Sequence, residues 1–405
     1  MKNADILVSG GGIAGPTLAY WLRKAGFRPV VVERAPAPRP GGQAVDLRGA
    51  GRTVIERMGL LDQVRQVTVD QRGLALVDRD GKRIAEIPTE AFGGQGIVSD
   101  LELLRDDLAT VLYRATADDV EYLFDDTVTA LREDADGVHV TFENAPPRRF
   151  DLVVGADGLH STVRRLAFGP ESEHFVPIGG YTAWFTARLD LDLDDWFLMY
   201  NAPGGRVAMA RPGRAPGEVK AGLSFRSAPL AYDRRDRAAQ QRLLTDRFAG
   251  AGWEVDRLLA AMTEADDFFF EHLGQVRLDR YTRGRTALIG DAACCPTPLT
   301  GLGTSLALVG AYLLAGELAT ANGDFTTAFA RFQHRMKPYA AKAQELPPGG
   351  MAGYAPNGRT MIALRAASMR WMTRRPLRSI MEAQAAKASE VELPDYANAL
   401  APHGG

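Results

Sequence analysis

Cysteine and histidine are scarce in this chain, which has two cysteines and six histidines in 405 residues. The cysteines are adjacent, at Cys294 and Cys295. They offer no disulfide framework, zinc cluster or C-x-x-C redox pair, and we expect two small buried side chains in a loop. Neither an H-E-x-x-H motif nor a G-x-S-x-G motif occurs in the sequence. We therefore expect no bound metal and no catalytic nucleophile from the protein.

An excess of charge and a long apolar run are also lacking. The formal net charge is −2, which gives no basic field for nucleic acid and no polybasic membrane anchor. The longest apolar stretch, near Leu306 to Leu314, is too short to span a bilayer, and the first predicted strand starts too close to Met1 for a signal peptide. With 46% apolar residues, the composition is that of a globular enzyme. We expect a cytoplasmic monomer whose partners are small molecules.

A glycine motif follows the first apolar run, Ile6-Leu7-Val8, and opens a predicted helix. The motif residues are Gly10, Gly12, Ile13, Ala14 and Gly15. In a strand-turn-helix context the three glycines permit a tight turn, close approach to a pyrophosphate, and close packing of helix on strand. Main-chain N–H groups and the helix dipole then bind the anion. The pattern predicts dinucleotide binding, although a glycine motif by itself could be an ordinary turn.

The second apolar run, Val30-Val31-Val32, ends at Glu33. An acidic residue at this position accepts hydrogen bonds from a ribose diol in dinucleotide-binding folds. The next residue, Arg34, could add a charge near the adenosine. Strand, helix and acidic residue together favour dinucleotide binding over an isolated turn.

Two glycine–aspartate pairs follow later predicted strands. They are Asp157-Gly158 and Gly290-Asp291. A carboxylate at a strand end beside glycine can accept hydrogen bonds from ribityl hydroxyls. Asp291 could instead cap a helix, and Asp157-Gly158 could be a purely structural turn. After Gly290-Asp291 the chain passes through Pro298, Gly301, Leu302 and Gly303 and then enters a predicted apolar helix. The N-terminus of that helix would direct its N–H groups at a flavin. The motifs together predict FAD.

The order of predicted elements interleaves two domains. We expect an α/β fold with a Rossmann-like FAD-binding domain of the glutathione reductase type, a substrate domain built on a mixed β-sheet, and a long C-terminal helix. The FAD-binding domain takes residues 1–72, 98–174 and 272–345, the substrate domain 73–97 and 175–271, and the bridging helical segment 346–405. Periodicity further predicts a hairpin over 73–87 and helices over 51–67, 101–115, 238–262 and 361–387.

These motifs, together with Arg105, Ser161 and Arg164, resemble those of the class A flavoprotein monooxygenases, the para-hydroxybenzoate hydroxylase type. The resemblance covers nearly the whole chain. The amino-acid sequence of residues 41–49, 266–270 and 295–301 is most similar to that of the tetracycline destructase branch. The chain departs from many members at Cys294-Cys295, where they have His or Tyr.

The resemblance implies roles for individual residues. Arg105 and Asp291 would bind the pyrophosphate and ribityl region of FAD, Asp46 would lie near the flavin, and Arg39 would take part in NADPH use. Without the resemblance, Arg105 would be interpreted as a solvated helix residue.

The resemblance also implies the reaction. NADPH reduces FAD, the reduced flavin takes up O2 as a C4a-hydroperoxide, and oxygen passes to an aromatic or polyketide substrate, with tetracycline-type antibiotics as the leading example. No second Gly-x-Gly-x-x-Gly follows Gly15, so NADPH would dock transiently on the FAD domain. Two other functions stay open: an FAD oxidoreductase of the same fold without oxygen insertion, and a non-catalytic flavin-binding sensor.

The substrate wall is expected in the second sheet, because a flat ligand is matched by aromatic area and an occasional cation. The candidates in that sheet are Tyr181, Trp184, Phe185, Arg211 and Phe225, and Arg48, close after Asp46, is another possible cleft residue. Aromatic residues at strand spacing can equally be core. We expect the C-terminal helix to cover the substrate opening, with its arginines, from Arg365 to Arg378, on a solvated face.

Overall fold

A computed structural model describes residues 2–38, 42–91, 101–372 and 393–400. The strands of this part of the chain are β1 (Asp5–Ser9), β2 (Arg28–Glu33), β3 (Ala44–Asp46), β4 (Gly73–Val77), β5 (Arg83–Pro88), β6 (Glu102–Leu104), β7 (Glu121–Phe124), β8 (Val128–Glu133), β9 (Val138–Phe142), β10 (Arg148–Phe150), β11 (Leu152–Gly155), β12 (Phe175–Arg188), β13 (Trp196–Ala202), β14 (Arg206–Pro212), β15 (Glu218–Arg226), β16 (Phe269–Val276), β17 (Thr282–Arg283) and β18 (Thr286–Leu288). The helices are α1 (Ala14–Lys24), α2 (Gly49–Met58), α3 (Leu61–Arg65), α4 (Arg105–Arg114), α5 (Thr162–Ala167), α6 (Arg237–Phe248), α7 (Val255–Glu264), α8 (Asp291–Cys294), α9 (Gly303–Thr320), α10 (Phe325–Ala343), α11 (Gly350–Tyr354) and α12 (Arg359–Met372).

The first sheet has the strand order β17-β18-β11-β1-β2-β7. From β18 to β7 its neighbours are parallel, and β17 is antiparallel at the edge. The residues of β11 and β18 are all buried, as expected where a parallel sheet is covered on both faces. The glycine motif lies where β1 passes into α1, as the sequence predicts. This sheet and its helices form the predicted Rossmann-like part of an α/β fold.

The second sheet has the strand order β16-β12-β15-β14-β13-β4-β5. It is mixed, because β13 and β4 are parallel while all other neighbouring strands of this sheet are antiparallel. One face packs with α6 and α7 in one apolar core, and the other face packs with α11 and α12. The predicted mixed sheet is therefore present. The domain boundaries stay a prediction, and β16 continues across the one drawn at residues 271 and 272.

Three predicted helices are shorter or divided. The helix predicted over 101–115 starts at Arg105, because Glu102–Leu104 pair with Ala44–Asp46 as β6 against β3. The helix predicted over 238–262 divides into α6 and α7 around Gly250 and Gly252, which have φ of 66° and 99°. The helix predicted over 51–67 ends at Met58, since Gly59 takes φ 74° and a separate helix follows. Helical periodicity alone does not locate such breaks.

The apolar helix α9 is longer than the apolar run from Leu306 to Leu314, which by itself is too short to span a bilayer. By length and composition its 18 residues are sufficient to cross a membrane, but 83% of them are buried inside the protein. They pack against α1, α2 and α10. In this structure α9 is a core helix next to the glycine motif.

The C-terminal segment contacts both parts of the molecule. The guanidinium of Arg365 on α12 donates to Asn201 Oδ1 and to the carbonyl of Tyr354, each at 2.6 Å, so the expectation of a solvated face is wrong for this residue. Further along, the hydroxyl of Tyr396 donates to the buried carboxylate of Glu317 on α9 at 2.5 Å. Residues 373–387 of the predicted helix lie outside the described residues, and its covering of the substrate opening stays a prediction.

Candidate functional site

A cavity of about 1670 Å³ extends from the glycine motif to the second sheet. A pocket for one drug-sized ligand has about 300–1,000 Å³, so this cavity offers room for a dinucleotide and a second molecule. Most of the predicted cofactor residues line it: Gly10, Gly12, Ile13, Ala14, Glu33, Arg34, Asp46, Arg105, Asp157, Asp291, Pro298, Gly301, Leu302 and Gly303. The predicted residues Gly15 and Gly290 lie behind this lining.

The backbone geometry of the glycine motif explains its composition. Gly10 has φ 113°, and its N–H donates to the carbonyl of Val32 at 2.8 Å. A Cβ on Gly10 would collide with the backbone of Ala156, and one on Gly15 would collide with the carbonyl of Gly10. At Gly12 the nearest atom to such a Cβ is Arg105 Nη2, at 3.6 Å. The chain at Gly12 therefore borders open space, as close approach to a pyrophosphate requires.

The carboxylate of Glu33 is fixed by main-chain donors. Its Oε2 accepts from the N–H of Gly11 at 2.6 Å, and its Oε1 accepts from the N–H of Ala35 at 2.8 Å. Each carboxylate oxygen has a second lone-pair site, so the group can still accept hydrogen bonds from a ribose. The bonds to the backbone hold it at the edge of the glycine motif.

The structure brings Arg105 and Asp291 to the same cavity from α4 and α8. Burial raises the pKa of Asp291, while the charge of Arg105 and a hydrogen bond from the Cys295 thiol partly offset this effect. Both cysteines are buried as predicted, but Cys294 is the last residue of α8 rather than part of a loop. Burial also raises the pKa of the Cys294 thiol, so it stays protonated.

The loop before α9 holds a strained residue that the sequence does not reveal. Thr297 has φ 78°, a region that β-branched residues seldom adopt, and its buried hydroxyl has no hydrogen-bond partner among the described residues. Strain of this kind concentrates at functional sites. Here it lies immediately before Pro298, in the loop that lines the cavity.

The Asp157 carboxylate accepts hydrogen bonds from residues of the turn that follows it. It accepts from the N–H groups of Thr162 and Val163 at 2.8 and 3.1 Å, and from the hydroxyl of Ser161. These are bonds to the first turn of α5, which agrees with the structural alternative for this carboxylate. The backbone of the turn still borders the cavity. The buried Arg164 donates to the carbonyls of Leu159 and Ala292, and its Nη2 also forms an ion pair with the carboxylate of Glu171 at 3.8 Å.

The predicted substrate residues of the second sheet divide between its two faces. Trp184 and Arg211 line the cavity, and so does Arg48 from the loop after β3. Tyr181, Phe185 and Phe225 lie on the opposite face in the core with α6 and α7, and their predicted role as cleft residues is wrong. The reason is the two-residue period of a strand, which places Tyr181 and Phe185 opposite Trp184.

Several cavity residues of the second sheet were missed from the sequence. They are Thr182, Phe197, Met199, Met209 and Ser224, joined by Tyr354 of α11. The available signal was alternation: once Trp184 faces the cavity, Thr182 must do so too. Arg39, predicted for NADPH, lies outside the described residues. Within the described ranges no three His, Cys, Asp or Glu side chains are grouped to hold a metal.

Comparison with known proteins agrees with this arrangement. The family described as FAD binding domain matches residues 3–327. A flavin-dependent monooxygenase of Legionella longbeachae serogroup 1 (strain NSW150) is 39% identical over 85% of this chain and 88% of its own. An uncharacterised protein of Mycobacterium tuberculosis (strain H37Rv) is 44% identical over 87% of this chain and 94% of its own.

Solved structures of two tetracycline destructases are similar over the full fold. Tet(51) has a TM-score of 0.80 and 31% identity, with 96% of this chain and 99% of that chain covered. Tet(55) has a TM-score of 0.79 and 34% identity, with 97% and 99% covered. The chain thus belongs to the FAD binding domain family and is an FAD-dependent monooxygenase of class A, similar to the tetracycline destructases.

Proposed function

We propose that the protein consumes NADPH and O2 to hydroxylate an aromatic or polyketide compound, with tetracycline-type antibiotics as the leading substrates. One observation carries the proposal: the cavity that borders the glycine motif continues without interruption to an apolar wall of the second sheet. A cofactor and a flat substrate would thus meet in one space. The shared cavity disfavours the flavin sensor, and the relatives described as flavin-dependent monooxygenases favour oxygen insertion over a same-fold oxidoreductase without it.

The residues present fit FAD. The N–H groups at Gly10–Gly15 and the N-terminus of α1 would bind the pyrophosphate, and Glu33 would accept from the adenosine ribose. Arg105 and Asp291 would hold the pyrophosphate and ribityl region, while the first turn of α9 would favour negative charge on the flavin. When bound, FAD supplies the transfer of electrons from NADPH to O2 and of one oxygen atom to the substrate.

The protein's own contribution is to orient the substrate and exclude water. Trp184, Met199 and Met209 give an apolar wall, and Tyr354 covers it from α11. Exclusion of water protects a reactive oxygen-transfer step from hydrolysis and proton leakage. The monomeric state and the role of Arg39 in NADPH docking belong to this proposal.

The tetracycline part of the proposal is supported by the likeness to Tet(51) and Tet(55), which are named tetracycline destructases. The test is NADPH consumption by the purified holoenzyme with tetracyclines, anthracycline-like compounds and simple phenols. Reactions under isotopically heavy O2 should give a product heavier by one labelled oxygen atom. NADH in place of NADPH gives the cofactor preference. Consumption of NADPH with an unlabelled product would contradict hydroxylation, and labelling confined to phenols would contradict the polycyclic substrate.

A further inference from the structure

The helix α12 exposes large apolar side chains on one side. Three of the six large hydrophobic residues that are exposed in the described part of the chain lie on it, namely Met361 at 54%, Leu364 at 59% and Trp371 at 64% exposure. With 3.6 residues per turn, these positions fall within about 80° of one another around the helix axis. Single exposed apolar residues are ordinary, whereas a continuous apolar face marks an interaction site.

The other side of α12 is already packed in the protein. Ala366 and Met369 are buried in one apolar core with residues of β4 and β5. Between them and the exposed face, the guanidinium of Arg365 donates to Asn201 Oδ1 and to the carbonyl of Tyr354. The helix therefore cannot turn its apolar face inward without losing this packing and these hydrogen bonds.

The charge along this part of the chain has one sign. Residues 346–372 include three arginines and no aspartate or glutamate, a local excess that the net charge of −2 for the whole chain conceals. Arg359 and Arg370 are exposed, and because eleven residues make about three turns they lie along the same flank of α12. The acidic residue of β5, Glu86, forms an ion pair with Arg83 at 3.8 Å.

The apolar face borders the mouth of the cavity. Met361 and Leu364 are exposed and also belong to the lining of the cavity, which continues with Met369 and Met372 of the same helix. Trp371 lies about two turns beyond Leu364 on the outside. A molecule that left an apolar phase in contact with Met361 and Leu364 would enter the cavity without crossing bulk water.

We propose that the exposed face of α12 docks on an anionic lipid bilayer, from which lipophilic substrate passes into the cavity. Met361, Leu364 and Trp371 insert at the boundary between headgroups and acyl chains, as apolar and indole side chains do in interfacial helices. Arg359 and Arg370 contact the anionic headgroups. Because its other side is packed in the protein, α12 lies on the bilayer and does not cross it.

A bilayer fits this face better than a protein partner does. An apolar stripe with a terminal indole, flanked by arginines and without acidic residues, is the composition of a helix that binds an anionic interface. The inference goes beyond the proposed function, because docking does not depend on what reaction the flavin supports.

The test is co-sedimentation of the FAD-loaded full-length protein with lipid vesicles. One set consists of phosphatidylcholine and the other of an equimolar mixture of phosphatidylcholine and phosphatidylglycerol. We expect binding to the mixed vesicles to be roughly tenfold tighter or more, since each arginine near an anionic surface strengthens binding about fivefold, and to weaken with added salt.

Two variants and a matched control locate the contact. The double variant Leu364→Ser/Trp371→Ser should bind the mixed vesicles roughly tenfold more weakly or worse, because less apolar surface is buried in the interface. Arg359→Gln should weaken binding to the mixed vesicles about fivefold and leave binding to the neutral vesicles unchanged. Val176→Ser is the control, since Val176 is an exposed apolar residue on β12, and it should bind as the wild type does. Flavin absorbance and denaturation curves show that each variant is folded.

Absence of wild-type binding to the mixed vesicles would overturn the proposal, and this measurement involves no variant that could fail to fold. Equal binding to the two kinds of vesicle, or an equal loss in Val176→Ser, would also overturn it. A concentration-dependent dimer that the double variant abolishes, without vesicle binding by the wild type, would identify a second copy as the occupant instead. Because no turnover is measured, these results are separate from the oxygen-labelling test of the proposed function.

Discussion

Arg48 Nη2 lies 3.3 Å from the carbonyl oxygen of Gly301 and 3.6 Å from the carboxylate of Asp46, so one guanidinium joins the loop after β3 to the loop before α9. The link is reinforced by Ser305, whose hydroxyl donates to the carbonyl of Arg48 at 3.1 Å. Gly301 has φ 65°, and a side chain there would collide with the Arg48 guanidinium. The cavity wall at this point therefore depends on the glycine.

Gly301→Ala should weaken FAD binding about tenfold. The left-handed backbone costs an alanine about 1–2 kcal/mol, and the Arg48 side chain must move as well. Titration of the apoprotein with FAD gives the dissociation constant. Gly217→Ala is the control, because Gly217 has φ 74° and no atom of the described residues lies within 4 Å of an added Cβ. Equal FAD affinity in the two variants would show that the Arg48–Gly301 contact does not shape the site.

Gly10→Ala should abolish FAD retention during purification. Its Cβ would meet the backbone of Ala156, which cannot move away as a side chain could, and overpacking of this kind costs typically 1–3 kcal/mol. Gly59 also has a positive φ, 74°, with no described atom within 4 Å of an added Cβ. Gly59→Ala should therefore lose only stability, by about 1–2 kcal/mol. The ratio of flavin to protein absorbance in the purified protein distinguishes loss of FAD in Gly10→Ala from retained FAD in Gly59→Ala. A yellow Gly10→Ala protein would contradict the geometry of the glycine motif.

Trp184 and Phe185 are neighbours on β12 that face opposite sides of the sheet. Replacement of Trp184 by alanine should therefore affect substrate binding, and replacement of Phe185 should affect stability. Trp184→Ala should raise the KM for substrate because the cavity loses an apolar wall. Phe185→Ala should lower the free energy of unfolding by about 3–5 kcal/mol, the usual cost of a large cavity in a core. Chemical denaturation and substrate titration measure the two effects. A KM effect from Phe185→Ala with unchanged stability would contradict the face assignment.

The His160 network should make stability depend on pH. Burial by itself would lower the pKa of His160, but hydrogen bonds to Glu171 and Glu271 outweigh it and raise the pKa to about 9. Burial would raise the pKa of Glu171, but hydrogen bonds from His160 and Arg234 lower it to about 2.

A histidine whose pKa rises on folding stabilises the protein fully below its unfolded pKa near 6.5 and loses that contribution as pH increases toward about 9. The Glu171 contribution is complete above about 4.5 and is lost as pH falls toward about 2. We expect wild-type stability to decline between pH 6.5 and 9, on the order of 1–2 kcal/mol after solvent screening. Denaturation curves across that range should show a smaller decline in His160→Gln. Parallel profiles would contradict the assignment.

The fold could be predicted from the sequence where local chemistry and order along the chain coincide. Gly10, Gly12 and Gly15 between a buried strand and an apolar helix leave few alternatives to a dinucleotide loop, because the backbone itself is the binding group. The hairpin over 73–87 was predictable for a similar reason, since its turn at 78–81 interrupts two strand-like runs. The helix predicted over 101–115 failed because β6 forms only when β3 is beside it.

Residue order along the chain is sufficient to predict the nucleotide-binding character of the first domain and the mixed β-sheet of the second. The side of β12 that faces the cavity depends on how the second sheet packs against its helices. That packing places Trp184 and Arg211 at the cavity and Tyr181, Phe185 and Phe225 in the core. Alternation along a strand defines two sets of side chains but does not say which set meets a helix and which a ligand. Tertiary packing likewise decides that the Asp157 carboxylate accepts hydrogen bonds from α5 and that Glu102 forms an ion pair with Arg211. Such partners lie far apart in the chain, and pairing between them depends on how the sheets pack.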